Sequence, residues 1–197
     1  MNPDRKNELR EHLVELYEQG ESFDYGSLVY EYEAVSADQN AAIDTLNERY
    51  PDDLELSSLG FNYGYSSFLD CLVGKKQCRV KPGKKVEFET QVCVFILFCN
   101  YKSIYVLGEH VYYGESGFAL PGFPSVDNFT TNRTSSLAKE VNALLEKTAY
   151  RRALASELDG NIPDIIKTES NMITDRPRVF DGYFNWTDWA NRTLTFD

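Results

Sequence analysis

Apolar positions along the chain recur with two different periods, and each period predicts an element. Leu9, Leu13 and Leu16, with Tyr17 beside them, sit at helical spacing between an Asn2-Pro3 start and a Gly20 stop. Glu8, Glu11, Glu15 and Glu18 occupy the other side of the same turns, which predicts an amphipathic helix with an unbroken acidic outer face. In SLVYEYEAV, residues 27–35, Leu28, Tyr30, Tyr32 and Ala34 alternate with Glu31 and Glu33, the period of a strand. Ser36-x-x-Gln39 then reads as a capping box opening a helix to about Arg49, ended by Tyr50-Pro51. After the glycine- and tyrosine-rich GFNYGY, Ser66 or Ser67 is placed to cap a short helix through Val73.

The second half opens on its strongest apolar signal. VEFETQVCVFILFC, Val86 to Cys99, alternates at first and then becomes continuously apolar, as a central strand covered on both faces does. Asn100-Tyr101-Lys102 reads as a turn into a second strand, Ser103 to Tyr113, giving an antiparallel hairpin, with Gly108 marking a bulge or a second turn. GESGFALPGFPSVDN is read as an irregular connection. Leu137, Val141, Leu144, Leu145 and Ala149 predict a long helix from Thr134 or Ser135 to about Leu158. In the closing RVFDGYFNWTDW, alternation puts Phe180, Phe184 and Trp186 on one face of a strand, with Trp189 past its end, a plug for the core. These elements predict one domain over residues 1–197. Its fold class is α+β: a mostly antiparallel sheet with a central apolar hairpin, flanked by the N-terminal amphipathic helix and a long helix in the C-terminal half.

Composition changes little in that picture, and charge changes more. Hydrophobic residues make up 42% and aromatics 14%, a globular balance. The charged start MNPDRKNELREH has no apolar core of a signal peptide, so a cytoplasmic location is expected, with Cys71, Cys78, Cys93 and Cys99 as reduced thiols. No apolar run is long enough to span a bilayer, so no membrane partner is expected. The net charge of −11 is unevenly placed: residues 1–70 carry −12, and the remainder carries +1. Such an acidic field disfavours nucleic acid, whose binding needs Lys/Arg surface, and complements a basic protein. The like-charge neighbours of the first helix cost roughly 0.2–0.5 kcal/mol each, so stability alone would mix the signs. The contrary signal is Lys75–Lys85, six bases in eleven residues. It reads as a solvated loop, a phosphate or nucleic-acid contact, or a dock for an acidic patch of a partner or second copy.

Catalytic chemistry finds few candidates. Phosphate-binding glycine loops, zinc-binding HExxH, GxSxG and EF-hand patterns are all lacking, as are CxxC and His-x-His spacings, so no cofactor and no metal site are expected. Asp52-Asp53 reads as a solvated turn, and His12 as a solvated residue between the helix stripes. An enzyme reading rests on His110, with Cys93 or Cys99 across the hairpin, or on the 114–124 loop.

In size, acidity, Tyr/Phe/Trp richness and its PRVFDGYFNWTDW ending, the chain resembles bacterial immunity proteins, which neutralise a cognate toxin by covering its active site. The resemblance is one of general character and implies an inhibitor that binds a basic toxin domain and is not an enzyme. The sequence supplies the candidate surface: Glu11, Glu15, Glu18, Asp38, Asp44, Glu48, Asp52, Asp53 and Glu55 for steering, and Tyr30, Tyr32, Tyr63 and Tyr65 as anchors. The alternatives are an enzyme of unrecognised family and a phage or accessory regulatory protein. The expected state is a monomer or a homodimer.

Overall fold

The structure is a computed structural model, and it describes residues 3–19, 25–56, 68–74, 90–100, 102–113, 125–163 and 178–184. Of these, the side chains of 3, 17–19, 25–36, 90–91 and 111–113 lie outside the description. The helices are α1 (Pro3–Gln19), α2 (Tyr25–Arg49), α3 (Asn132–Leu145), α4 (Ala155–Leu158) and α5 (Val179–Tyr183). The strands are β1 (Leu54–Leu56), β2 (Phe68–Val73), β3 (Thr90–Cys99), β4 (Ile104–Tyr113) and β5 (Arg151–Arg152). They form one sheet in the order β1-β2-β3-β4-β5, antiparallel except for the parallel β4–β5 pair. This is the expected α+β class with its apolar hairpin at the centre.

The hairpin requires two covering layers. Every residue from Cys93 to Cys99 is buried, and period-two alternation divides them between the faces. Cys93, Phe95, Leu97 and Cys99 face a layer made by Leu9, Leu13 and Leu16 of α1 and Val179, Phe180, Tyr183 and Phe184 at α5. Val94, Ile96 and Phe98 face Ala42 and Leu46 of α2 and Leu137, Ala138, Val141 and Leu145 of α3. Each large apolar side chain so buried contributes about 1.5–3 kcal/mol.

Polar groups fasten the layers. Glu109 of β4 lies beneath the start of α3, where its carboxylate accepts the Thr130 N–H at 3.0 Å and the hydroxyls of Thr130 and Thr134. Burial pushes that carboxyl up, but the bonds from Thr130 and Thr134 outweigh it and hold it below its ordinary value. Asp127, in the left-handed region at φ 58°, accepts from the Arg152 guanidinium and the Ala155 N–H, each at 2.6 Å. That ties the 125–128 turn to β5 and α4.

Four expected elements are corrected. Residues 27–35 are helical, because α2 runs unbroken from Tyr25. No Gly or Pro interrupts residues 27–49, and Leu, Glu and Ala there are good helix formers. Gln39 caps nothing; it is buried and donates to Asn100 Oδ1 at 2.9 Å. The helix expected through Val73 is instead strand β2, six residues all buried, as an inner strand covered on both faces should be. The long second-half helix stops at Leu145. Thr148 Oγ1 donates to Leu145 O and accepts the Tyr150 N–H, turning the chain. Arg151 N and Ala153 N then bond Ser103 O and Tyr105 O, making β5. Finally, Val179–Tyr183 is helical, its first turn capped by Asp181 accepting the Arg178 N–H at 2.6 Å. Phe180 and Phe184 are therefore one helical turn apart, stacked at 5.1 Å, and both close the core. Trp186 and Trp189 lie outside the described residues.

Gly108 is neither bulge nor turn. It pairs with Phe95 in continuous register, and a Cβ there would stand 2.3 Å from both the Phe95 ring and Ser125 O. Gly108→Ala is expected to lower unfolding free energy by ~1–3 kcal/mol or more. Gly160→Ala, whose Cβ would meet the flexible end of Lys6 at 3.0 Å and make an ordinary contact with Val179 at 3.9 Å, should change it by about 0.5 kcal/mol or less. Urea denaturation of the two variants checks the contrast, and equal stabilities would contradict the packing at Gly108.

Candidate functional site

The outer face of α1 is the surface on which the expected acids are best grouped. Its leucines are drawn onto the sheet, which leaves Glu8, Glu11 and Glu15 exposed. Two of the helix's bases turn inward. Arg5 donates to Arg152 O at 2.6 Å and pairs with Glu157 at 3.5 Å, and Lys6 donates to Asp159 O at 2.7 Å. Arg10 remains exposed. Glu8 pairs with Lys102 at 3.3 Å, while Glu11 and Glu15 make no ion pair among the described residues. Exposed pairs of this kind are worth about 0–1 kcal/mol, so the Lys102 contact only partly offsets the field.

Two grooves flank the helix. One, about 480 Å3, is lined by Asn7, Arg10, Glu11, Val14, Glu15 and Pro163. The other, about 550 Å3, runs between α1, the β3–β4 turn and β5, with Leu9 and Ile104 among its apolar residues and Glu8, Lys102 and Arg151 among its charged ones. Both therefore combine apolar surface with charge of either sign.

His12 is not the solvated residue expected between the stripes. It is half-buried, stacked on Tyr183 with ring centroids 5.8 Å apart, and its Nδ1 lies 2.8 Å from the Tyr183 hydroxyl. That hydroxyl donates its one proton to Leu9 O at 2.8 Å. The His12 Nδ1 must therefore carry the hydrogen and donate, leaving Nε2 as the acceptor. Burial, and then the Lys102 charge, lower the imidazole to about 4 against the pull of Glu15 and Glu8. At neutral pH the acidic face thus carries a neutral imidazole in its midst.

The remaining candidates are divided by the sheet. Asp38, Asp44 and Glu48 belong to α2, which covers the face opposite α1, so the two acidic clusters do not form one surface. Asp38 accepts from Ser103 at 3.3 Å; Asp44, Glu48 and Asp52 are exposed; Asp53 is half-buried; Glu55 is exposed on β1. Arg49, the one base in this stretch, donates to Glu140 at 2.7 Å and lies over the Tyr50 ring, so it too is bound internally. Glu18, Tyr30 and Tyr32 lie in helices, but their side chains are outside the description. Tyr63, Tyr65, the 75–85 basic run and the 114–124 loop lie wholly outside it.

Sequence reasoning placed the β3–β4 turn but missed that it touches both acidic helices. Lys102 reaches Glu8 of α1, while Asn100 and Ser103 bond Gln39 and Asp38 of α2. Polar residues in a turn carry no signal of what they will meet. Of the catalytic alternative's residues, Cys93 and His110 pair across the hairpin and both are buried, with the thiol 3.8 Å from the His110 carbonyl. No group of three or more His, Cys, Asp or Glu is placed to hold a metal among the described residues. Nor is any described helix long and apolar enough to cross a membrane.

The His12 geometry has a measurable consequence. Its ring should titrate near 4 in an NMR pH series, and Lys102→Gln should raise that midpoint. Because the folded value lies below the unfolded one of about 6.5, His12 favours folding fully above that pH and progressively less as pH falls toward 4. A midpoint near 6.5 would contradict the burial and the Tyr183 contact.

Comparison with protein-family models, with curated proteins and with solved structures returns no match for this chain.

Proposed function

We propose that the chain is an inhibitor that binds and neutralises a basic protein, as bacterial immunity proteins do with their cognate toxins, and that α1 presents the contact surface. The observation that supports this most is the fate of the cations. Arg5, Lys6 and Arg49 are bonded to internal acceptors, while Glu11 and Glu15 face solvent unpaired among the described residues. A fold under selection for stability alone would set those bases beside the glutamates at one-turn spacing. Exposed carboxylates flanking grooves of mixed apolar and charged lining suit a basic surface: the acids steer the encounter, and the apolar parts of the grooves receive lysine or arginine stems.

The test uses immobilised wild-type chain, a Glu11→Lys/Glu15→Lys variant, and an Asp44→Lys/Glu48→Lys variant reversed on the opposite layer. Lysate of the source cell, expressing its secreted toxins, is passed over each at low salt, and bound proteins are identified by mass spectrometry. A basic protein held by wild type and by the α2 variant, and lost from the α1 variant, is the expected result. Association of that protein with the α1 variant should be about tenfold or more slower at low salt, with a flatter salt dependence. Identical recovery on all three, or recovery of chaperones alone, would overturn the proposal.

A further inference from the structure

Strand β2 carries a single charged residue, Asp70, and it is misplaced for a structural role. Its neighbours Phe68, Leu69, Cys71, Leu72 and Val73 are all buried, and Asp70 itself is only 7% exposed. One carboxyl oxygen, Oδ1, is buried without any hydrogen-bond partner. By alternation Asp70 shares its face with Phe68 and Leu72, and it stands opposite Leu97 of β3. Burying an ionised carboxylate there without partners is strongly unfavourable, whereas the protonated acid is tolerated.

Among the described residues, the surroundings supply no compensating cation. From β1, Glu55 stands across from Leu72 on the same face, so the one charge from that strand is another carboxylate. Among the described side chains of β3, the same face offers only the thiols Cys93 and Cys99, and on β2 the Cys71 thiol points to the other side. In the covering layer, Phe184 seats against Phe68 with ring centroids 6.3 Å apart. Of the ionisable groups that layer carries, Asp181 accepts from Arg178 N, the Arg178 guanidinium holds Asp159, His12 is bonded to Tyr183, and Arg10 is exposed on the outer side of α1. Glu15, on the outer side of α1, is a further acid.

We propose that Asp70 is a proton-controlled latch on the β1–β2 edge of the sheet, closed while its carboxyl is neutral and released when the proton leaves. Of the two strands that flank β2, the three-residue edge strand β1 is the one that gives way, since the ten-residue β3 is the centre of the sheet. β1 has three residues at the margin of the sheet, with Glu55 and Leu56 exposed. Lifting it hydrates Asp70 and separates it from Glu55, whereas hydrating it from the β3 side would break the central hairpin. Burial, reinforced by Glu55, holds the carboxyl up at about 7. The sign follows from that elevation. Below the opened-state value of about 4, both states are protonated and pH has no effect. Between about 4 and 7 only the opened state loses its proton, so the closed edge is weakened as pH rises, and the effect saturates above the closed-state value.

The latch is tested on the full chain by following the Asp70 carboxyl carbon by NMR against pH, alongside amide hydrogen exchange at about pH 5 and about pH 8 corrected for intrinsic rates. The expected result is a midpoint near 7 and a protection of β1 that falls by about tenfold or more between the two conditions, while Val94–Phe98 of β3 keep theirs. Glu55→Gln should move the Asp70 midpoint downward, and Asp70→Asn should abolish the pH dependence of β1 exchange. A carboxyl titrating near 4, β1 protection indifferent to pH in the wild-type chain, or pH dependence retained in Asp70→Asn would each overturn the latch. Should Asp70→Asn fail to fold, the wild-type titration and Glu55→Gln still decide it.

Discussion

The architecture depends on one constraint: the β3–β4 hairpin is apolar on both faces and cannot be left open to water on either. Seven consecutive buried residues, Cys93 to Cys99, demand a layer above and a layer below. Everything else is arranged to supply them. The α1 helix with α5 covers one face, and α2 with α3 covers the other. Tyr183 shows how tightly the first layer is joined to the strand. Its hydroxyl bonds α1 through Leu9 O and His12, and its carbonyl receives the Cys99 thiol of β3 at 3.5 Å.

That constraint also decides where the charge goes. A chain whose first seventy residues carry −12 could have gathered its acids on one surface. Because α1 and α2 must cover opposite faces, their outer sides point away from each other, and the acids part with them. Cations are then used inside, where Arg5 and Arg152 bridge α1, β5 and the Asp127 turn. The buried ionisable groups are handled in different ways. Glu109 is satisfied by threonines at the start of α3, His12 is kept neutral by burial and Lys102, and Asp70 keeps one buried carboxyl oxygen, Oδ1, without a hydrogen-bond partner. Glu109 and His12 favour the folded state less as pH falls, whereas Asp70 favours it less as pH rises.

How much of this was legible follows from which signals are local. The α1 stripe and the hairpin were readable because each repeats its period over many residues and is punctuated by turn chemistry. The α2 start was not, since nine residues of period-two alternation compete poorly with a long stretch of helix formers free of Gly and Pro. The end of α3 was hidden because Thr148 breaks the helix through its own side chain, and Arg151 and Arg152 become a strand only when β4 offers its free edge. Burial of Val179, Phe180, Tyr183 and Phe184 around an outward Asp181 is a helical pattern that strand alternation also fits over so few residues. For the candidate site, the identities of the acids were legible and their division between two layers was not, because it depends on topology. The Asp70 latch was illegible for the same reason: one Asp in an apolar run reads as a helix or turn residue until its strand is placed between two others.

The measurement that bears most directly on the two-sided hairpin as organising constraint is native-state hydrogen exchange across the whole chain under increasing denaturant. Val94–Phe98 and Tyr105–Leu107 should be the last amides to exchange, opening only with global unfolding, while α1 and α2 open earlier as separate units. Protection that persists in either helix after the hairpin amides have exchanged would contradict it.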